Sequence, residues 1–281
     1  MRLPELLAAV RRPLRACDIG DPELIDYANE MLRLAASRVF LPDLEETATI
    51  TVPAGATSVA LPGDYQRDLF AVKNGDGVPL VVSTSAKIKG LRLGCPPPGA
   101  VRVVAAAGST LHLWPEADAE ETLVLGYFRL PRTLEQVAGS VTFSAATKGL
   151  SATAPLFARF HAGDLFNTDS ALNAGAYTVA EADETTCTVE EAVADETATN
   201  VNIAATEIEG IPRELRRNVL VNGMLTMAFE TIEDAVEGKP NTDRYRALYE
   251  AGIKELKRAI VATGYIAPTG RSSELHFQAL A

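Results

Sequence analysis

Asp21-Pro22-Glu23-Leu24-Ile25-Asp26-Tyr27-Ala28-Asn29-Glu30 opens the stretch that decides the fold. Asp21 suits an N-cap, where a carboxylate accepts from orphan backbone N–H groups, and Pro22 at the first helical position forfeits no useful donor. Leu24, Ala28, Met31, Leu32, Ala35 and Val39 then recur as one apolar stripe that Pro42 stops. A counterpart stands near the other end. Ile211-Pro212-Arg213-Glu214 precedes Leu215, Val219, Leu220, Met224, Ala228 and Ile232, a helix predicted from Pro212 to Glu237 with Gly238 as its C′ residue. Another helix is predicted from Asn241 or Thr242 to Ala262, carrying Tyr245, Leu248, Tyr249, Ile253, Leu256 and Ile260 and closing at Gly264. Pro4 to Ala16 forms a shorter one, with Leu6, Leu7, Val10 and Leu14 on one face. An apolar stripe must be buried, and the sequence between the two ends is written for sheets, so the terminal helices are expected to pack together as one helical bundle.

Between them the period changes from helical to alternating. Thr47 to Val52 and Ser58 to Leu61 flank Pro53-Ala54-Gly55-Ala56 and read as a hairpin. Leu69 to Val72 and Pro79 to Val82 flank the turn Asn74-Gly75-Asp76-Gly77. A looser stretch runs through Cys95-Pro96-Pro97-Pro98-Gly99, and strands return at Val101 to Ala105, Leu111 to Trp114 and Leu123 to Arg129. From Ser140 to Ala204 five more short strands are expected: Val141 to Phe143, Leu156 to His161, Ala176 to Val179, Cys187 to Val189 and Val201 to Ile203. These suggest a small barrel or sandwich. The fold class is therefore α+β: a bundle of N- and C-terminal helices with an antiparallel sheet, plus an inserted all-β domain. The expected boundaries are 1–138 with 208–264 for the core, 139–207 for the insertion and 265–281 for a C-terminal tail.

The 281 residues are 47% apolar and 22% charged, ordinary globular composition with room for two domains. No stretch approaches the ~18 uninterrupted apolar residues of a membrane span, and the apolar run Leu6 to Val10 is too short for a secretory signal. A soluble protein made in the cytoplasm is expected. Cys17, Cys95 and Cys187 have neither zinc nor disulfide spacing and read as free thiols. The net charge of −11 is concentrated. Between Gly139 and Glu207, Asp164, Asp169, Glu181, Asp183, Glu184, Glu190, Glu191, Asp195, Glu196 and Glu207 meet only Lys148 and Arg159. That acidic module surface is the reverse of a nucleic-acid clamp, and it suits basic partners.

Chemistry is hard to find. The three histidines, His112, His161 and His276, lack partners at metal-ligand spacing. Gly90-Leu91-Arg92-Leu93-Gly94 lacks the following helix a phosphate site requires. In the doublets Glu120-Glu121 and Glu190-Glu191, adjacent strand carboxylates point to opposite faces and do not pair as a glycosidase would. The chain reads as no enzyme, with no catalytic residue, cofactor or metal. Leu275, Phe277 and Leu280 follow a Gly/Ser-containing stretch and are spaced as anchors for a partner groove or sheet edge.

The order helix, helix, sheet, helix, helix resembles the head-to-tail adaptor (head-completion, connector) proteins of tailed bacteriophages, especially short-tailed ones. The quoted Asp21 to Glu30 stretch is similar to that family's second helix. Ala60-Leu61-Pro62-Gly63-Asp64-Tyr65 resembles a motif after its first hairpin. Leu111-His112-Leu113-Trp114-Pro115-Glu116-Ala117-Asp118 resembles its strand ending in aromatic-Pro, and Glu209-Gly210-Ile211-Pro212-Arg213-Glu214 its entry to the third helix. The resemblance covers the chain outside the insertion. It implies a structural virion protein at the head-tail junction, a homo-oligomeric ring of about twelve copies beneath the portal protein. Such a dodecamer would extend the DNA channel, pass DNA without sequence-specific binding and support tail assembly through the nozzle proteins. Leu275, Phe277 and Leu280 then become a candidate portal-docking tail. The alternative is a tail fibre or other β-rich receptor-binding protein, against which the four helices count.

Overall fold

The computed structural model describes residues 1–14, 19–94, 97–233 and 239–265. It divides into two units, Met1–Leu41 with Pro131–Tyr265, and Pro42–Leu130.

The first unit begins with α1 (Leu3–Arg11) and α2 (Asp21–Arg38). Both end sooner than the apolar stripes suggest, α1 before Pro13 and α2 where Val39 turns extended. The expected third helix starts differently. A π-helical turn over Arg217–Val221 leads into α4 (Asn222–Ile232), while α5 (Pro240–Ala262) runs nearly as its stripe predicts; α3 belongs to the other unit. The C-terminal end proposed at Gly238 lies outside the described residues. Past α5, Gly264 takes a positive φ of 78°, the left-handed conformation that favours glycine after a helix. Phe229 of α4 stacks on Tyr245 of α5 with centroids 5.4 Å apart. Gly223 of α4 makes room for the Met31 side chain of α2. Arg38 of α2 pairs with Glu250 of α5 through both carboxylate oxygens.

The same unit carries a closed six-stranded barrel. Its strands are β8 (Glu135–Ser144), β9 (Gly149–Ala152), β10 (Leu165–Thr168), β11 (Gly175–Ala182), β12 (Thr186–Val189) and β13 (Glu196–Ala205), seven others belonging to the second unit. Around the barrel the order is β10-β11-β12-β9-β8-β13, each pair antiparallel. Closure removes the sheet edges that a small open module would expose. The interior holds Val141, Phe143, Phe166, Tyr177, Val179, Val201 and Ile203. Leu156 to His161 is not a strand. It follows Pro155 as bends and turns, with Phe160 N–H donating to the Phe157 carbonyl, and sends Leu156, Phe157 and Phe160 into the barrel core. Gly139 leaves the space for Leu156, since a Cβ there would lie 2.7 Å from its Cδ1.

The second unit is β1 (Glu45–Val52), β2 (Ser58–Ala60), β3 (Tyr65–Asn74), β4 (Val81–Val82), α3 (Ser85–Arg92), β5 (Val103–Ala107), β6 (Thr110–Trp114) and β7 (Glu121–Arg129). They form two sheets, β1-β7-β3 and β2-β6-β5-β4, rather than the single antiparallel one expected, and β4 pairs with β5 in parallel. The expected β1–β2 hairpin does not form. β1 pairs with β7 and β2 with β6, so the Pro53 to Ala56 turn carries the chain from one sheet to the other. β7 is buried along most of its length and needs a strand on each side, which outweighs local closure of a hairpin. The inward residues Leu111, Leu113, Leu123, Leu125 and Tyr127 share one core. The stretch before Cys95, read as loose, contains α3: Thr84 caps it by accepting from Lys87 N–H at 3.3 Å, and Ile88 packs on Val103 and Ala105.

Candidate functional site

The polar residues of the Asp21 to Glu30 stretch fasten α2 to the base of the barrel. Asn29 holds the Leu134 backbone from both sides, its amide nitrogen donating to the carbonyl at 2.9 Å and its oxygen accepting from the N–H at 2.8 Å. Arg159, from the turn inside the barrel, donates to the Asp26 carboxylate and the Pro22 carbonyl and lies 3.4 Å from the Glu135 carboxylate. Glu135 is 3% exposed, and that burial pushes its carboxyl above the usual range against the pull of Gln136 N–H and Arg159. Beside it Arg132 pairs with Glu209 at 3.0 Å and donates to the Gly163 carbonyl. Arg216 gathers the Met1, Ile208 and Ile211 carbonyls just before the π-helical turn.

Asp164 belongs to this junction and not to the acidic surface where sequence puts it. It is buried at 4% exposure and accepts from Thr133 N–H and His161 N–H, each at 2.8 Å. The remaining candidates do lie outward: Asp169, Glu181, Asp183, Glu184, Glu190 and Asp195 are exposed, and Glu191 and Glu196 half-buried. The last two also work as clamps. Burial opposes the charge of Glu191, but Thr178 N–H and hydroxyl, both at 2.8 Å, outweigh it and hold the carboxyl below the usual range. Glu196 is likewise lowered, its burial outweighed by Asn173 and by the N–H groups of Ala171 and Leu172. Asp195 accepts from Ala145 N–H at 2.8 Å. These bonds draw the connections 144–149, 169–174 and 190–195 together at one end of the barrel, where Leu172 stands 66% exposed.

The other candidates have structural work. Glu121 accepts from Val101 N–H at 3.0 Å. In the second unit Asp64 accepts from the Tyr127 hydroxyl at 2.7 Å, and its carbonyl takes Leu130 N–H, so the Leu61 to Tyr65 motif ties off a corner. Cys187 is buried in the barrel, which pushes its thiol up to about 12. Among the described residues no group of His, Cys, Asp and Glu has the arrangement to hold a metal ion, and no helix is long and apolar enough to cross a membrane. Leu275, Phe277, Leu280 and His276 lie outside the described residues.

No curated protein matches the chain. The model of the SU10 adaptor protein family matches residues 1–165, running through both N-terminal helices and the two-sheet unit to the start of β10. That is more than half of the 281 residues, and the chain belongs to the SU10 adaptor protein family, phage structural proteins of the head-to-tail adaptor kind.

Proposed function

We propose that the protein forms a homo-oligomeric ring between portal and tail, extending the DNA channel and offering a platform to tail components. Membership of the adaptor family carries this reading. The pairwise helix contacts support it when read as one bundle: a rigid wedge suits side-by-side packing in a ring closed by head-to-tail contacts. On this reading the barrel is an insertion on an adaptor core of 1–138 and 208–264, and 265–281 is a docking tail. Carboxylates such as Glu181, Asp183 and Glu184, exposed on the barrel, fit a channel wall along which DNA slides without the counterion-releasing contacts of a basic groove.

The test is binding to the portal protein of the same phage. The full chain should bind and form a ring visible by electron microscopy, and failure to bind would overturn the reading. Removing 265–281 should abolish binding while circular dichroism stays unchanged; unimpaired binding removes Leu275, Phe277 and Leu280 as the docking residues. Without portal the chain should be mainly monomeric by light scattering in physiological salt, because rings formed off template compete with assembly.

A further inference from the structure

The outward side of α5 is exposed, Arg244 lying over the neighbouring Tyr245 ring, and its charge is opposite to that of the molecule. Arg244, Ala247, Ala251, Lys254, Arg258 and Val261 recur at intervals of three and four, and all are exposed, Val261 at 71%. Residues at that spacing form one stripe along a helix. This one has two alanines at its middle, three cations and no acid. The acids of α5 flank it, Asp243 one turn before Ala247, and each has a partner: Glu250 with Arg38, Glu255 with Asn218, Asp243 with Arg246. In a chain of net charge −11 such a stripe is set apart.

The complementary surface is on the same unit. At the end of the barrel drawn together by Asn173, Asp195 and Glu196, exposed Leu172 stands on one of three adjoining connections that also carry exposed Glu190 and Asp195. The one lysine there, Lys148, donates to the Glu190 backbone carbonyl at 2.7 Å. An apolar knob in an acidic rim matches a small-residue saddle flanked by cations. Because the two patches differ and sit on one body, their pairing between copies is heterologous, the kind of contact that generates rings.

We propose that the exposed stripe of α5 on one copy docks on the acidic end of the barrel on a second copy, with Leu172 seated at Ala247 and Ala251. The inference deepens the ring reading and rests on it, naming the surfaces by which neighbours meet. The carboxylates on the β11–β12 hairpin take no part in the contact.

Zero-length carbodiimide coupling joins a lysine amine to a carboxylate in contact with it, so it reads this interface directly. The full chain, mixed from ordinary and nitrogen-15-labelled preparations, is coupled at high concentration and low salt and mapped by mass spectrometry. Inter-copy links from Lys254 to Glu190 or Asp195 are expected, falling about tenfold or more in salt near 1 M, where screening is nearly complete. At the same high concentration and low salt, K254E/R258E and L172K/E190K should each associate less than the unaltered chain by sedimentation, and mixing the two should restore association, since every contact then joins opposite charges. Absence of these inter-copy links, or no restoration on mixing two variants that circular dichroism shows folded, overturns the proposal. Portal binding by the unaltered chain separates that failure from failure of the adaptor reading.

Discussion

Gly252 of α5 lies so close to Asn218 of the π-helical turn that a Cβ on it would sit 2.5 Å from the Asn218 carbonyl oxygen. The obstruction is backbone, which no side-chain rotation relieves. Replacing a helical glycine with alanine ordinarily stabilises by about 1 kcal/mol, but overpacking costs about 1–3 kcal/mol, so the sign reverses here. G252A should lower the melting temperature. Gly90, within α3, has open space where its Cβ would be, and G90A should raise the stability of its own unit by up to about 1 kcal/mol. Thermal unfolding of the two variants checks both signs.

Arg159 holds Asp26 and Glu135 together, and its removal leaves Glu135 buried without its cation. Breaking a fully buried pair costs about 3–5 kcal/mol, but Arg159 is itself a third exposed, so about 1–3 kcal/mol is the expected loss for R159A at neutral pH. The pH dependence follows from the raised carboxyl of Glu135. A group whose pKa is higher folded than unfolded contributes stability below its unfolded value, near 4.5, and loses it as pH rises through the folded value. Without Arg159 that rise grows, so the deficit of R159A should be greatest near neutrality and narrow as pH falls toward 5. Urea midpoints at several pH values test this; a gap that widens on acidification contradicts it.

The junction shows what sequence conceals. α2 and α5 are legible because Pro22 and Pro240 mark their starts and their stripes repeat every three or four residues, all local signals. Asn29 and Leu134, by contrast, are 105 positions apart, and Arg159 stands 133 from Asp26, so neither periodicity nor spacing links them. The role of Asp164 is hidden for the same reason: an Asp beside a Gly reads as a solvated turn, and the Thr133 N–H that donates to it is 31 positions away. The barrel is legible in kind from its short alternating strands, yet Phe157 and Phe160 read as strand residues when they plug the interior from a turn. A helix as short as α3, with Ile88 alone buried, offers no stripe to detect. Pairing of β1 with β7 was hidden because the choice of strand partner is set by what the buried β7 requires, not by the turn after β1.

Glu233 caps α5 from beyond the helix. Its Oε1 accepts from Asn241 backbone and side-chain N–H, its Oε2 from Thr242 N–H and hydroxyl, and the N-cap residue itself, Lys239, makes no side-chain capping bond. Burial opposes its charge, but these donors outweigh it and hold the carboxyl below the usual 4.5. A lowered pKa contributes stability above 4.5 that disappears as pH falls through the folded value. E233Q turns one acceptor into an N–H group facing other N–H groups, so its melting temperature should fall at pH 7. The difference from the unaltered protein should shrink once pH drops below 4.5 and Glu233 protonates. A difference independent of pH would show that the charge contributes nothing.

Cys187 tests whether the barrel opens alone. Its thiol is buried between β9 and β11 with its pKa pushed up to about 12 by that burial, and the thiolate is the reactive form. At pH 8 both the scarcity of thiolate and the closed strand order protect it, so alkylation in the native state requires the strands to part. Closed barrels lack a free edge from which to fray, and opening should cost most of the unit's unfolding free energy. Alkylation of the Cys187 peptide, followed by mass spectrometry over increasing urea, should therefore stay negligible until the unit's circular dichroism transition and rise with it. F157A removes a fully buried ring from the plug at a cost of about 3–5 kcal/mol and should move both curves to lower urea together. Labelling that runs well ahead of the transition would mean the barrel opens as a separate cooperative unit.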